Sequence, residues 1–349
     1  RKLLKAKKNW LHLKGCTANN LKNIDAKFPL GALTVLTGPS GSGKSSLMRG
    51  CLAEAASDIE GGHFQKASGF ENVKHTFEVD QSPIGKTSRS CPATYVKLFD
   101  HIRALYAQLP DSRMRGYTAS RFSFNNKEGQ CPECKGNGRI KLEMDFLPTT
   151  WIDCEACHGD RYNPATLEVF YNGKTIADVL RMNIKTAAEF FEAHPKLQKP
   201  LRLLAETGLG YLTLGQPSPT LSGGEAQRLK LVTQLVKGRV DLTKVRPGPK
   251  NLYLIEEPTI GLHQQDVARL IDVLHRLVDE GHTVVVIEHH MDLAAEADYL
   301  IDLGPEAGPA GGRIVAQGTP EKVAKSEHSA TAPFLAQVLS PFYEGTKST

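Results

Sequence analysis

The stretch Gly-Pro-Ser-Gly-Ser-Gly-Lys-Ser-Ser, Gly38 to Ser46, limits what this chain can fold into more than any other. An apolar run, Ala32 to Thr37, precedes it, and the segment from Ser45 onward ("SSLMRGCLAEAA") reads as a helix. The spacing G-x-x-x-x-G-K-S between a strand and a helix is that of a P-loop. Its glycines let backbone N–H groups turn inward around phosphate oxygens, and the helix presents its positive N-terminal end to them. Gly38, Pro39, Ser40, Gly41, Ser42, Gly43, Lys44, Ser45 and Ser46 are therefore expected to cradle a nucleotide, ATP, with Lys44 on the β- and γ-phosphates and Ser45 on Mg²⁺.

A second segment supplies the chemistry that such a loop lacks. In "NLYLIEEPTIGLH", Asn251 to His263, the run Leu252 to Ile255 reads as a buried strand that ends in two adjacent carboxylates. Two acids side by side repel and are costly to desolvate unless a cation is near. The nucleotide's Mg²⁺ is that cation. Glu256 is expected on the metal side and Glu257 beside the γ-phosphate, where it would activate the attacking water.

The chain has 349 residues, 40% hydrophobic and 23% charged, the balance of a globular protein large enough for two domains or one domain with an insertion. No run of about 18 apolar residues suits a membrane span, no signal peptide is visible, and no membrane partner is expected. The net charge of +5 decides little, although "RKLLKAKKNW" is locally basic. Seven cysteines are present; Cys16, Cys51 and Cys91 stand alone, while Cys131, Cys134, Cys154 and Cys157 form two C-x-x-C pairs separated by 19 residues. Thiolates at this spacing close a tetrahedral zinc shell, which points to a reducing compartment, the cytoplasm, rather than to disulfides. His158 reads as a neighbour of the site, not a ligand. Between the pairs, Lys135, Arg139 and Lys141 accompany Phe146 and Trp151, a mixture suited to phosphate contact and stacking beside an opened duplex; Glu143 and Asp145 leave a plain mixed-charge surface around the zinc as the other reading.

Apolar strand runs alternate with helices along the rest: strands at Ala32–Thr37, in "HTFEVDQSPIG", at 252–255, at Thr283–Glu288 and in "YLIDL"; helices in 91–120, in "KTIADVLRM", in "IKTAAEFFEAHPKLQKPLRLLAETGLG", after "LSGGE" and from Asp266 to Glu280. That alternation predicts an α/β fold with a mostly parallel sheet covered on both faces.

The motif "LSGGEAQRLKL", Leu221 to Leu231, places a Ser-Gly-Gly turn at a helix start, a second anion site. It resembles the signature of ABC-type ATPases, and the remaining elements of that class occur in order: Gln81 in "VDQSP" resembles the Q-loop glutamine and His289 in "VVVIEHH" the switch histidine, while adjacent His290 receives no role. The resemblance narrows further to the UvrA family of damage-sensing ATPases of nucleotide excision repair. It is carried by "NNLKNIDAKFPLGALTVLTGPSGSGKSSL", "DQSPIGKTSRSCPATY", "RFSFNNKEGQCPECKGNG", "LGQPSPTLSGGEAQRLKL", "EEPTIGLH" and "VVVIEHHMDLAAEADYLIDLGPEAGPAGGRIVAQGTPEKVA".

The resemblance implies an ABC-type core with a helical signature subdomain and an inserted Cys₄ zinc module, similar to the second of the family's two ABC modules. It implies ATP hydrolysis with Glu257, His289 and Gln81 as catalytic residues and with Ser45, Gln81 and Glu256 around Mg²⁺. It also implies that Ser222, Gly223 and Gly224 contact a γ-phosphate held by a partner module. Expected partners are damaged or distorted duplex DNA, recognised without sequence readout, a second ABC module upstream or in a homodimer, and a UvrB-like repair protein. The implied segments are 1–90 (P-loop and Q-loop), 91–215 (signature insertion, zinc module at about 121–165), 216–325 (signature, Walker B strand and switch histidine) and 326–349 (tail). A chain that begins at Arg1 with a single P-loop is expected to be part of a longer protein.

Two positions depart from the family pattern: Glu256 stands where aspartate is usual, and Pro39 brings a fixed φ and no N–H into the P-loop. They keep open a UvrA-like paralogue associated with resistance to DNA-targeting drugs, a non-repair ABC ATPase, and a module whose nucleotide site is idle.

Overall fold

The computed structural model describes residues 9–85, 87–142, 150–238 and 250–340. The basic start, Lys86, Glu143, Asp145, Phe146, most of the polar loop before Lys250 and the final nine residues lie outside the described residues. The chain divides into two compact units, Arg1–Gln81 with Asp241–Thr349, and Ser82–Val240. The segment limits 90/91 and 215/216 expected from sequence do not coincide with these edges. The helix Gly223–Gly238 that begins in the signature packs on the helices Pro195–Leu204 and Pro92–Tyr95, which places it in the second unit.

In the first unit, strands β1 (Trp10–Cys16), β2 (Ile24–Pro29) and β4 (Lys66–Ser68) form an antiparallel sheet in the order β2-β1-β4. Strands β3 (Leu33–Thr37), β5 (Val73–Val79), β8 (Lys250–Glu256), β9 (Thr283–Ile287), β10 (Tyr299–Gly304) and β11 (Arg313–Gly318) form the main sheet. Its order is β11-β10-β3-β9-β8-β5, parallel throughout except for the β10–β11 pair. Every residue of β3, β9 and β10 is buried, as expected of parallel strands covered on both faces. The helix Gln264–Asp279 lays Val267, Leu270, Ile271, Leu274 and Leu277 against the core at helical spacing.

Parallel pairing fixes where the chemistry collects. Leu36 lies opposite Ile287, and Ile255 opposite both Val286 and Val79. The residues that follow β3, β5, β8 and β9, namely the P-loop, Gln81, Glu257 and His289, all emerge at the carboxyl end of one sheet, where ligands of open α/β sheets bind. The strand expected over Thr283–Glu288 ends at Ile287, although the Glu288 N–H still donates to the Leu36 carbonyl of β3 at 3.1 Å. The helix after the P-loop runs from Lys44 to Ser57 but is π-wound over Met48–Ala53.

The second unit is mainly helical. The helix expected across residues 91–120 is divided, because Lys97 takes a left-handed conformation (φ 62°) between Pro92–Tyr95 and Leu98–Ala107. Tyr106, Phe122, Phe124 and Tyr162 are fully buried, and the Tyr162 hydroxyl donates to the Phe122 carbonyl at 3.0 Å. A hairpin, β6 (Arg139–Leu142) and β7 (Thr150–Asp153), grows from the cysteine region, with all eight residues exposed.

Candidate nucleotide site and metal centre

Gly38, Gly41 and Gly43 all have positive φ, at 123°, 76° and 109°, so the loop between β3 and its helix can close tightly. At Gly38 no side chain fits: a Cβ would come within 2.0 Å of the Leu303 carbonyl oxygen. Lys44 folds back over the loop, its Nζ donating to the carbonyls of Gly38 (2.9 Å) and Pro39 (2.8 Å). Burial draws its ammonium below the usual lysine range, against the opposing pull of the Glu257 and Asp302 carboxylates. Pro39 is accommodated as an acceptor, since its carbonyl also receives the Ser42 N–H at 3.2 Å. The Ser42 hydroxyl is buried with no hydrogen-bond partner. An orphaned hydroxyl, a tethered ammonium and a glycine cradle suit a phosphate group. Ser40 and Ser45 are exposed, and Ser46 accepts the Asn19 side-chain amide at 3.1 Å.

At the end of β8 the two acids part company. Glu256 receives Arg49 Nη2 on its Oε2 at 2.5 Å, and Ser45 bonds to it as well. Burial pushes its carboxyl above the usual range, while Arg49 and Ser45 draw it back. Glu257 sits at φ 43°, its N–H donating to the Ile287 carbonyl at 2.8 Å, and its Oε1 lies 3.6 Å from His289 Nε2. The structure thus brings together the two residues that sequence assigned to water activation and to the switch. Gln81 is exposed, two residues beyond the Val79–Ile255 pairing of β5 and β8. His290 occupies the N-cap position of the helix Met291–Ala295, without a side-chain capping bond, and lies 3.9 Å from Asp292.

Glu288 had no role in the sequence reading. It is 2% exposed; its Oε1 accepts the N–H of Thr259 at 2.8 Å, and its Oε2 accepts those of His289 at 2.8 Å and His290 at 3.1 Å. One buried carboxylate therefore ties the turn after Glu257 to the loop of His289. An acid that ends an all-apolar strand was the available signal.

In the second unit, Ser222 and Glu225 form a reciprocal cap at the start of the signature helix: the Ser222 N–H donates to Glu225 at 2.7 Å, and the Glu225 N–H donates to the Ser222 hydroxyl at 3.3 Å. Tyr211 donates its hydroxyl to the other oxygen of Glu225. Ser222 and Gly223 are exposed, whereas Gly224 is buried. The helix thus offers its N-terminal dipole to solvent through a fixed turn.

Cys131, Cys134, Cys154 and Cys157 converge, all buried, with their sulfurs within 4.8 Å of one another. The sulfurs of Cys131 and Cys154 are 3.9 Å apart and those of Cys134 and Cys157 3.6 Å. Both pairs belong to C-x-x-C-x-G knuckles of the same shape. Lys135 (φ 51°) then Gly136 (φ 79°) follow one, and His158 (φ 49°) then Gly159 (φ 86°) the other. The Gly138 N–H donates to the Cys134 sulfur at 3.2 Å, a bond suited to a thiolate. Four convergent sulfurs with no disulfide fit one zinc. His158 is not in the cluster. On the hairpin, Trp151 is 51% exposed opposite Lys141, and Arg139 pairs with Asp153 at 3.1 Å.

Two expectations follow. Cys154→Ser should lower the metal content from one zinc per chain to none while nucleotide binding persists; protein purified without chelators that holds no zinc by elemental analysis would contradict the site. Glu288→Gln sets an amide donor against N–H donors and should cost about 1–3 kcal/mol in denaturant unfolding; an unchanged unfolding midpoint would show that the carboxylate does not hold the two loops.

No family model matches the chain. Whole-sequence comparison finds the UvrABC system protein A of Clostridium perfringens, 51% identical over 337 residues, which covers 95% of this chain and 35% of that protein. The Thermus thermophilus protein of the same name is 52% identical over 335 residues, 94% of this chain and 34% of the other. Among solved structures, UvrA2 from Deinococcus radiodurans superposes with a TM-score of 0.86 at 46% identity, covering 97% of this chain and 40% of that one. The chain thus spans about a third of the length of the curated relatives it matches. The fold is accordingly an ABC-type α/β P-loop core with a helical, cysteine-bearing insertion, and over the stretch it spans the chain belongs to the UvrA family.

Proposed function

We propose that the chain is an ATP-binding and ATP-hydrolysing module of a protein that recognises distorted DNA in nucleotide excision repair. The observation that carries this reading is the pairing of Glu257 with His289, 3.6 Å apart, at the carboxyl ends of the neighbouring strands β8 and β9. Relatives named UvrABC system protein A support the repair setting.

In this reading Lys44 exchanges the Gly38 and Pro39 carbonyls for phosphate oxygens, while Gly38 to Ser46 wrap the phosphates with N–H groups. Ser45 and Glu256 hold Mg²⁺, with Gln81 alongside. The metal would neutralise phosphate charge. Glu257 takes the proton of the attacking water, and His289 holds the Glu257 carboxylate in place. Ser222, Gly223 and Gly224 face the phosphate of a second module, because one P-loop and one signature in a chain provide two half-sites and no complete site. Zinc on Cys131, Cys134, Cys154 and Cys157 braces the hairpin, which lays Arg139, Lys141 and Trp151 against duplex DNA. A second ABC module and a UvrB-like protein are the protein partners, and the cytoplasm is the compartment.

Glu257→Gln should keep ATP bound and lower turnover by about 10²-fold or more, the scale of general-base catalysis. Turnover at the wild-type rate would remove Glu257 from the mechanism. Affinity for duplex DNA should fall steeply with salt, and Arg139→Ala with Lys141→Ala should flatten the log–log salt slope by roughly 1–2. Binding that is indifferent to salt would remove the hairpin from the interface.

A further inference from the structure

Glu256 and Ser45, which the proposed function assigns to Mg²⁺, already have a cation between their elements. Arg49 lies one helical turn beyond Ser45 on the P-loop helix, and its Nη2 contacts Glu256 Oε2 at 2.5 Å. The two side chains differ in freedom: that of Arg49 is 46% exposed, that of Glu256 only 20%. The carboxylate is fixed at the end of β8, and the guanidinium reaches it from a flexible stem. Arg49 also forms part of the wall of a cavity of about 370 Å³ that includes Asn19, Ser45 and Ser46, which gives the guanidinium space to withdraw. The helix is π-wound from Met48 onward, and such turns concentrate at functional sites.

We propose that Arg49 is a positioning residue that occupies Glu256 as a tethered stand-in for the metal, so that Mg²⁺ enters by exchange rather than into an uncompensated acid. This rests on Glu256 being the metal-side acid. The physical consequence has two sides. Without metal, Glu256 and Glu257 would set adjacent negative charge against incoming triphosphate, and Arg49 cancels half of it, so metal-free ATP binds better than it otherwise would. With metal, Arg49 competes for the same oxygen, so more Mg²⁺ is needed. Glu256 has one methylene more than aspartate, and that added reach brings its carboxylate to the guanidinium.

The test uses the whole chain and a fluorescent ATP analogue, titrated in EDTA and then at a fixed concentration against Mg²⁺, with no turnover measured. Arg49→Ala should weaken binding in EDTA and lower the half-saturating Mg²⁺ concentration, each by about 3–5-fold, the range of an exposed to half-buried ion pair. Arg49→Lys, which keeps the charge, should stay nearer the wild type in both. In a Glu256→Gln background, Arg49→Ala should leave the Mg²⁺ midpoint unchanged, because the oxygen for which the guanidinium competes is gone. An unchanged Mg²⁺ midpoint in Arg49→Ala, with Glu256→Gln still shifting that midpoint, overturns the role of Arg49 alone. A Mg²⁺ midpoint that ignores Glu256→Gln overturns the assignment of Glu256 beneath it. Thermal melting of each variant, with Arg49→Gln as the alternative truncation, separates either result from loss of fold.

Discussion

The nucleotide face of the first unit depends on one buried carboxylate. Glu288 accepts three backbone N–H groups, from Thr259, His289 and His290, and is almost wholly out of water. A desolvated anion is tolerable only with donors of this number and aim. Those donors belong to two loops that leave different strands, so satisfying the charge fixes both. The 3.6 Å approach of His289 to Glu257 follows from that bond set and from the parallel pairing of β8 with β9. The Glu257 N–H on the Ile287 carbonyl, 2.8 Å, joins the same two segments one step nearer the sheet.

The same economy governs the P-loop. Backbone carbonyls of Gly38 and Pro39 hold the Lys44 ammonium, and buried Asp302, bonded to Thr37 and Thr331, contributes negative charge from behind. The loop is therefore shaped by its own atoms before any anion reaches it. In the proposed function phosphate takes the place of carbonyls already there, which would keep the reorganisation needed on binding small.

Much of this was legible in the sequence because it is local. Glycines, a lysine and a serine at fixed spacing after an apolar run can adopt few shapes, and two C-x-x-C pairs leave the sulfurs little choice. Strands β3, β8 and β9 followed from apolar runs, whereas β4 and β11 carry no such run and were not expected. What the sequence withheld depends on partners distant along the chain. Arg49 and Glu256 are 207 positions apart, and nothing in either neighbourhood announces the pair. Glu288 looked like the last residue of a strand, since only the turn it makes reveals the bonds it accepts. The break at Lys97 was hidden because lysine is a good helix former, and tertiary packing overrode that preference. The strands Arg139–Leu142 and Thr150–Asp153 have no buried face, so they lack the alternation by which strands are recognised.

Glu257 carries a cost of its own. Its φ of 43° places a side-chain-bearing residue in a region natural to glycine, at roughly 1–2 kcal/mol. Glycine at this position would relieve that strain and remove the carboxylate to which the proposed function gives the proton of the attacking water. Stability and chemistry pull in opposite directions at a single residue, so a search for thermally hardened variants would tend to select against turnover here. Hardening should instead be sought at sites remote from the carboxyl end of the main sheet.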